Sequence, residues 1–424
     1  MIYTNSYADN INFSKYRGAT LKLCFHAHPH FDAAIQIMHE FTELTGIILD
    51  IDRVDSSYIK DKQLSSFNGN NNFDLVSYLV TWKSEYAIKN YIIDLNPYFA
   101  NKDLILPNYN LGDLITPYLM TAGFFNSREA TIEGKDAKLY GIPFGAETSI
   151  LAYRKDVFLQ NGLKKPNTYS ELKNILSILE NLNIGGLSTR GEKGHHCVHS
   201  WLLHFNPMGG QILDENWHPK VNSEAGVKSL DFLRSIISRS SKHMSEYNQA
   251  EMLNSFLTGE SNIYLDSSLI INAPKKRSQI NFREKVGFAL HPKDQVNSSE
   301  SGGLAIGISS NSLQKEAAFL LLQWLTHAKQ DIKLCKLGGA PSRISTLKNP
   351  LILKQFPGFK VLNQQLQYIN INWRPTIPEW DYIDNKILGN HLHESLLGNT
   401  NSKIALATSN TEITNLMRTN GYLK

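Results

Sequence analysis

Between Leu21 and Ile51 the chain reads as a strand, a helix and a second strand, and that order constrains the fold more than any other feature. Leu21 to Phe25 alternates apolar and polar residues, the two-residue period of a half-buried strand. His26 to His30 follows as a loop, and Phe31 to Thr45 carries apolar residues at helical spacing through Ile35, Met38, Phe41 and Leu44. Gly46 stands where a helix ends on a left-handed residue, and Ile47 to Ile51 reads as the next strand. Strand, helix and strand in that order imply a parallel sheet with a right-handed crossover.

The alternation continues along the chain. Phe73 to Tyr78 reads as a strand and Trp82 to Asn90 as a short helix, while Tyr140 opens a segment that runs to Asp156. Tyr169 to Leu182 is a helix with Thr168 or Ser170 available as its cap. Ser223 to Ser238 and Gln249 to Leu257 read as helices, and Ile263 to Leu265 as a buried strand ending at Asp266. Lys285 to Leu290 and Leu304 to Ile308 read as strands, and Leu313 to Thr326 as an amphipathic helix. A chain of 424 residues is too long for one hydrophobic core, so mixed α/β structure in two lobes is the expectation.

Bulk properties narrow the class. Apolar residues make up 42% and charged residues 19%, the balance of a globular protein. The net charge of +4 is mild, and the densest basic run, Lys275 to Arg277, reads as solvated charge, so nucleic acid is not an expected partner. No stretch approaches the roughly 20 apolar residues needed to cross a bilayer, so the protein is not integral to a membrane. Met1 to Arg17 lacks the basic-then-apolar pattern of a secretory signal. Two readings stay open: a signal removed ahead of Met1, or a chain that stays in the cytoplasm. Cys24, Cys197 and Cys335 are too few and too widely spaced for a disulfide framework or a paired-cysteine metal site, and read as buried thiols.

Two histidine groups carry the most distinctive chemistry. His26, His28 and His30 alternate, and His195, His196 and His199 cluster beside Cys197. Zinc needs three or four such ligands converging tetrahedrally, but neither group has the spacing of a hydrolytic zinc site. Imidazoles lining a ligand cleft suit the pattern better, since a neutral ring both donates and accepts hydrogen bonds. There is no nucleophile elbow and no phosphate-binding loop, and no catalytic residue, cofactor or metal is assigned. Glu147 with Asp266 leaves open a pair of carboxylates cleaving a glycoside, against the alternative that both accept hydrogen bonds from ligand hydroxyls. Aromatic residues beside polar ones at strand ends, such as Tyr78, Trp82, Trp201, Trp373 and Trp380, suit either core packing or a sugar's C–H faces.

Several segments in register resemble the extracytoplasmic solute-binding proteins of ABC importers, in the carbohydrate-binding group that includes maltose-binding protein. The first is Phe41 to Ile47. The most specific is Leu139-Tyr140-Gly141-Ile142-Pro143, followed by Leu151 to Phe158 and by Pro166 to Leu172. Gly209 to Asp214 leading into Val221 to Ala225, and Phe256 to Ile263, complete the set. The resemblance runs from about Leu21 to beyond Trp380.

This resemblance implies a two-lobed periplasmic-binding-protein fold with hinge crossings and a ligand cleft between the lobes, the first crossing falling at Tyr140 to Ala146. It places residues 1–140 plus 287–337 in one lobe and 141–286 plus 338–424 in the other. It implies a monomer that binds a sugar or sugar alcohol without turnover and delivers it to permease subunits of an importer, from a periplasmic or extracytoplasmic location. Family binding positions map onto Tyr78, Thr81, Trp82, Glu147, Thr148, His195, His199, Asp266, Ser267, Gly302, Gly303, Arg343, Arg374 and Trp380, with His28 from the imidazole-rich loop. The sequence departs from the family at Ser267-Ser268-Leu269, where an aromatic residue is often found, and in that loop of imidazoles. A non-sugar solute or a metal held through the histidines is the alternative.

Overall fold

β1 (Thr20–His26) forms where Leu21 and Leu23 alternate with exposed Lys22, and both leucines are fully buried. The computed structural model describes residues 13–69, 72–127, 136–240, 243–273 and 282–424. The basic run Lys275 to Arg277 and the first part of the polar lead lie outside the described residues. The remaining strands are β2 (Ile48–Val54), β3 (Leu75–Leu79), β4 (Phe124–Phe125), β5 (Lys138–Leu139), β6 (Ile142–Glu147), β7 (Ser149–Arg154), β8 (Leu187–Ser188), β9 (Ile263–Ser267), β10 (Val286–Ala289) and β11 (Gly302–Ile308). The chain divides into two compact units. The first takes the residues up to Glu147, Gly302–Pro357 and Thr376–Pro378; the second takes Thr148–Ser301, Gly358–Pro375 and Glu379–Lys424.

In the first unit the sheet order is β2-β1-β3-β11-β6. β1 lies parallel to β2 and β3, with Leu23 opposite Ile51 on one side and Leu75 on the other. The expected parallel sheet stops there, because β11 runs antiparallel to both β3 and β6. The crossover rule governs strands joined by a helix within one sheet, and β11 is instead reached from the second unit after Ser301.

The helical stretch after β1 is two helices, Pro29–Ile37 and His39–Thr45, parted at Met38. It begins before Phe31 because the His28 ring accepts a hydrogen bond from the His30 N–H at 3.3 Å and Pro29 occupies the first helical position. Gly46 closes the second helix with φ +73°. Beneath the sheet, Phe25 packs on Phe31 with ring centroids 5.0 Å apart, and Phe41 on Trp324 at 5.5 Å. Each buried ring of this kind contributes roughly 1.5–3 kcal/mol.

The helix Lys315–Leu325 is not amphipathic as its pattern suggested: every residue from Ala317 to Leu325 is buried. Its one polar member in that stretch, Gln323, is satisfied by donating to the Leu104 carbonyl at 2.7 Å and accepting from the Leu106 N–H at 3.0 Å.

The second unit is built on the sheet β10-β7-β9-β8. β7 is antiparallel to both β10 and β9, and β8 is parallel to β9. The helix Tyr169–Asn181 starts on a capping box in which Thr168 accepts from the Glu171 N–H and Glu171 reaches back to the Thr168 N–H. Ser223 caps Glu224–Ser238, and Asn248 with Glu251 caps Gln249–Thr258. The three cysteines are free and buried. No described helix is long and apolar enough to cross a membrane.

Candidate functional site

The register of the second sheet builds a concentrated, buried polar cluster in that unit. β8 and β9 run parallel with Ser188 opposite Tyr264, so the next two residues bring Arg190 level with Asp266 at the carboxyl ends of both strands, where open α/β sheets hold their ligands. Arg190 donates from Nε to Asp266 Oδ2 at 2.9 Å and from Nη2 to Oδ1, a bidentate pair. Both residues are buried.

His199 closes one side of this pair. The expected loop before Trp201 is a helix, His195–Phe205, because Gly194 at φ +94° lets the chain turn directly into it. The helix puts His195 and His199 one turn apart, with ring centroids at 5.7 Å. His199 Nε2 lies 3.5 Å from Asp266 Oδ2 and 3.6 Å from Glu300 Oε2. Its ring meets Trp373 edge-on at 5.4 Å, and the Arg374 guanidinium sits over the Trp373 face at 4.6 Å while Nη2 donates to Glu300 Oε1 at 3.1 Å. His195 Nδ1 bonds Asp384 Oδ2 at 2.6 Å, and its N–H donates to Asn385 Oδ1 at 3.1 Å. Both partners come from a wide helical turn, Ile383–Leu388.

The electrostatics follow from burial. Burial works to raise the Asp266 carboxyl, but the Arg190 guanidinium and then His199 overcome it and hold it below the usual carboxylate range. Burial, with Arg190 next, pushes the His199 ring down to about 3, and burial pushes His196 down to about 2. His199 is therefore a neutral ring between two carboxylates, each paired with its own arginine. Its Nε2 and the Arg374 Nε are buried and make no hydrogen bond among the described residues.

The first unit has its own polar group at the carboxyl ends of β1 and β3. Ser77 Oγ donates to the Cys24 carbonyl at 3.3 Å and accepts from the His26 N–H at 2.9 Å. Making both of these contacts at once has Ser77 accept from His26 Nδ1–H at 2.7 Å, the tautomer that leaves His26 Nε2 as an acceptor. That nitrogen is buried with no hydrogen bond among the described residues. Trp82 lies against the His26 ring at 5.6 Å, and Thr81 is half-buried beside it in the turn Val80–Trp82. His28 is the helix cap described above.

The remaining expected site residues are placed as follows. Tyr78 is fully buried and donates to the Ala122 carbonyl at 2.8 Å. Arg343 donates to the carbonyls of Thr326 and Asn110, each at 2.6 Å. Trp380 is fully buried in the second unit. Glu147 ends β6 opposite Gly302, and Gly303 follows at φ +86° where a side chain would strike the Gly145 carbonyl. Thr148 donates to the Glu300 carbonyl at 2.6 Å, and the Ser267 hydroxyl accepts from the Leu269 N–H at 3.2 Å.

The cluster thus brings together His199, Asp266 and Arg374 with Trp373, one of the aromatic candidates, and adds Arg190 and Glu300. Arg190 carries no local mark, since only the strand register gives it meaning. Glu300 stands before the Gly302-Gly303 pair, which was the available signal. Among the described residues no group of three or more His, Cys, Asp or Glu is placed to hold a metal ion.

Residues 29–332 match the family model described as bacterial extracellular solute-binding protein. The chain belongs to this family. It is a family of binders rather than enzymes, so the glycoside-cleaving reading of Glu147 with Asp266 falls. This solute-binding protein is 28% identical over 422 residues to a probable amino-acid ABC transporter periplasmic-binding protein of Sinorhizobium fredii, covering 96% of this chain and 92% of the relative. It is 27% identical over 312 residues to a mannitol-binding protein of Pseudomonas aeruginosa, covering 68% of this chain and 71% of the relative. An ABC transporter solute-binding protein from Agrobacterium radiobacter, solved in complex with ribitol, superposes with a TM-score of 0.83 at 27% identity, covering 94% of this chain and 99% of that one. The α/β architecture in two units is that of the periplasmic solute-binding proteins.

Proposed function

We propose that this solute-binding protein takes an uncharged polyhydroxyl solute, an alditol or a small sugar, through the cluster of Arg190, His199, Asp266, Glu300, Trp373 and Arg374. The observation that carries this reading is the internal charge balance. Arg190 is paired with Asp266 and Arg374 with Glu300, while His199 is held neutral. The cluster therefore has no net charge to offer an ionic ligand. The N–H groups not spent on the two pairs, Arg374 Nε among them, and the remaining carboxylate lone pairs can bond a hydroxyl, which donates and accepts at once. The buried Trp373 ring backs the cluster, carrying the Arg374 guanidinium on its face and His199 against its edge. Two relatives described with ribitol and mannitol support the same class. The protein would serve permease subunits of an ABC importer from outside the cytoplasm.

The test is a melting screen followed by calorimetry with ribitol, D-mannitol, maltose, glutamine and glutamate. A solute held by the folded state alone stabilises by RT ln(1 + [L]/Kd), about 2.7 kcal/mol at one hundred times Kd. An alditol or sugar is expected to raise Tm, and Arg374→Gln to abolish most of the rise. Stabilisation by an amino acid and by no polyol would overturn the reading and favour the chemistry named for the Sinorhizobium relative.

A further inference from the structure

Glu300 is held in place by a line of side chains that the proposed site does not itself use. Its carbonyl accepts from Thr148 Oγ1 at 2.6 Å, and its N–H donates to Ser149 Oγ at 3.2 Å. Ser149 Oγ lies 2.8 Å from His291 Nδ1, His291 Nε2 lies 3.2 Å from the Tyr169 hydroxyl, and that hydroxyl lies 2.9 Å from His204 Nδ1. All five residues are buried in the second unit.

One proton arrangement satisfies the whole line. Tyr169 O–H donates to the Leu203 carbonyl at 3.0 Å, so its oxygen accepts from His291 Nε2–H and His204 Nδ1–H. His291 then carries no proton on Nδ1, and that atom accepts from Ser149 O–H. The serine oxygen is left free to accept the Glu300 N–H. Each hydroxyl has one donor and two acceptor sites, and this arrangement uses them without conflict. The tautomer of His291 thus fixes the direction of the Ser149 hydroxyl, which fixes the backbone that carries the Glu300 carboxylate.

We infer that Ser149 and His291 are positioning residues for the Glu300 carboxylate, setting solute affinity from outside the contact surface. The inference rests on the proposed solute site, in which Glu300 is a ligand-facing carboxylate.

Two isosteric substitutions separate positioning from packing. His291→Asn keeps an acceptor where Nδ1 stands and loses the reach to Tyr169, whereas His291→Gln keeps the reach and loses the acceptor. Calorimetry with ribitol and D-mannitol, and Tm without solute, are measured for both, together with Ser149→Ala and Glu300→Gln. Ser149→Ala and His291→Gln are expected to weaken binding roughly three- to tenfold, the scale of one lost hydrogen bond. His291→Asn should stay within about twofold of the native affinity, a smaller loss than that hydrogen bond, although both His291 variants lower Tm. Equal affinity losses in the two His291 variants, or native affinity in Ser149→Ala, would overturn the inference. If the His291 variants fail to fold, Ser149→Ala decides. Weakened binding in Glu300→Gln with unchanged binding in the others removes only the positioning role. Native affinity in Glu300→Gln, or no alditol binding by the native chain, removes the site reading and this inference together.

Discussion

Arg190 donates to both carboxylate oxygens of Asp266, and both side chains are buried from solvent. A buried pair of this kind is weak evidence for stability, because removing two charges from water offsets most of their attraction. In the proposed site its value lies in orientation, since the bidentate geometry fixes both side chains against one another.

Breaking the pair on one side should therefore be worse than removing both sides. Arg190→Ala leaves Asp266 charged and buried, with an expected loss of about 3–5 kcal/mol. The double variant Arg190→Met with Asp266→Leu should recover much of that loss while binding no alditol. Urea unfolding of the singles and the double measures this directly. A double variant less stable than either single would count against the pairing as described.

Acid should destabilise the fold from the pH at which unfolded histidines begin to take up protons. Burial is the leading cause that pushes His26, His199 and His204 down to about 3 and His291 down to about 4. An unfolded imidazole titrates near 6.5, about the value at which the unfolded chain begins to take up protons that the folded chain refuses. The stability these rings lend is thus complete above about pH 6.5 and is lost as pH falls toward 4 and then 3. Each ring contributes a slope of about 1.4 kcal/mol per pH unit across that window. Asp266, also depressed, adds a loss of the same sign below about pH 4. Urea midpoints should be level from pH 8 to 7 and fall with increasing steepness from pH 6 to 4. A midpoint unchanged between pH 7 and 5 would sink this account.

His26 should be a neutral ring with its proton on Nδ1 at pH 5, the tautomer that lets Ser77 accept from the ring and donate to the Cys24 carbonyl at once. Nitrogen chemical shifts of the ring distinguish this tautomer from the Nε2–H form. In Ser77→Ala the Nδ1 proton loses its acceptor, and the ring is expected to change tautomer or rotate. An Nε2–H ring in the native chain would contradict the hydrogen-bond assignment.

Arg343 separates fold from site. It ties the Thr326 and Asn110 carbonyls together and lies over the Tyr109 ring at 5.0 Å. Arg343→Ala should lower Tm clearly while leaving alditol affinity in the folded protein unchanged. A selective loss of affinity at native stability would return Arg343 to the ligand set.

Much of the scaffold was legible because it rests on local rules. The alternation at Leu21 to Phe25, a cap at Thr168 or Ser170 and the glycine at Gly46 each act within a few residues; the strand and the glycine stand where the sequence puts them, and Thr168 is the cap. The site was less legible because it depends on register. Arg190 meets Asp266 only because two strands far apart in sequence run parallel and in phase. His199 faces Asp266 only because Gly194 turns the expected loop into a helix. The antiparallel β11 was hidden for the same reason, since nothing local distinguishes it from a parallel strand of similar composition.

Gly303 tests the backbone where the register between β11 and β6 shifts, between Gly303 and Ala305. Its φ is +86°, and an added Cβ would stand 2.4 Å from the Gly145 carbonyl oxygen and 2.8 Å from Ala146 Cα, both backbone atoms that cannot swing aside. Gly162 has a similar φ of +64° with nothing within 4 Å of an added Cβ. Gly162→Ala therefore suffers only the left-handed backbone penalty, about 1–2 kcal/mol. Gly303→Ala suffers that penalty and the collision, with an expected loss of at least about 3 kcal/mol. Urea unfolding of the two variants side by side isolates the collision. Equal losses would mean that the ladder between β11 and β6 relaxes around a methyl group, and that glycine at 303 is needed for its dihedral angles alone.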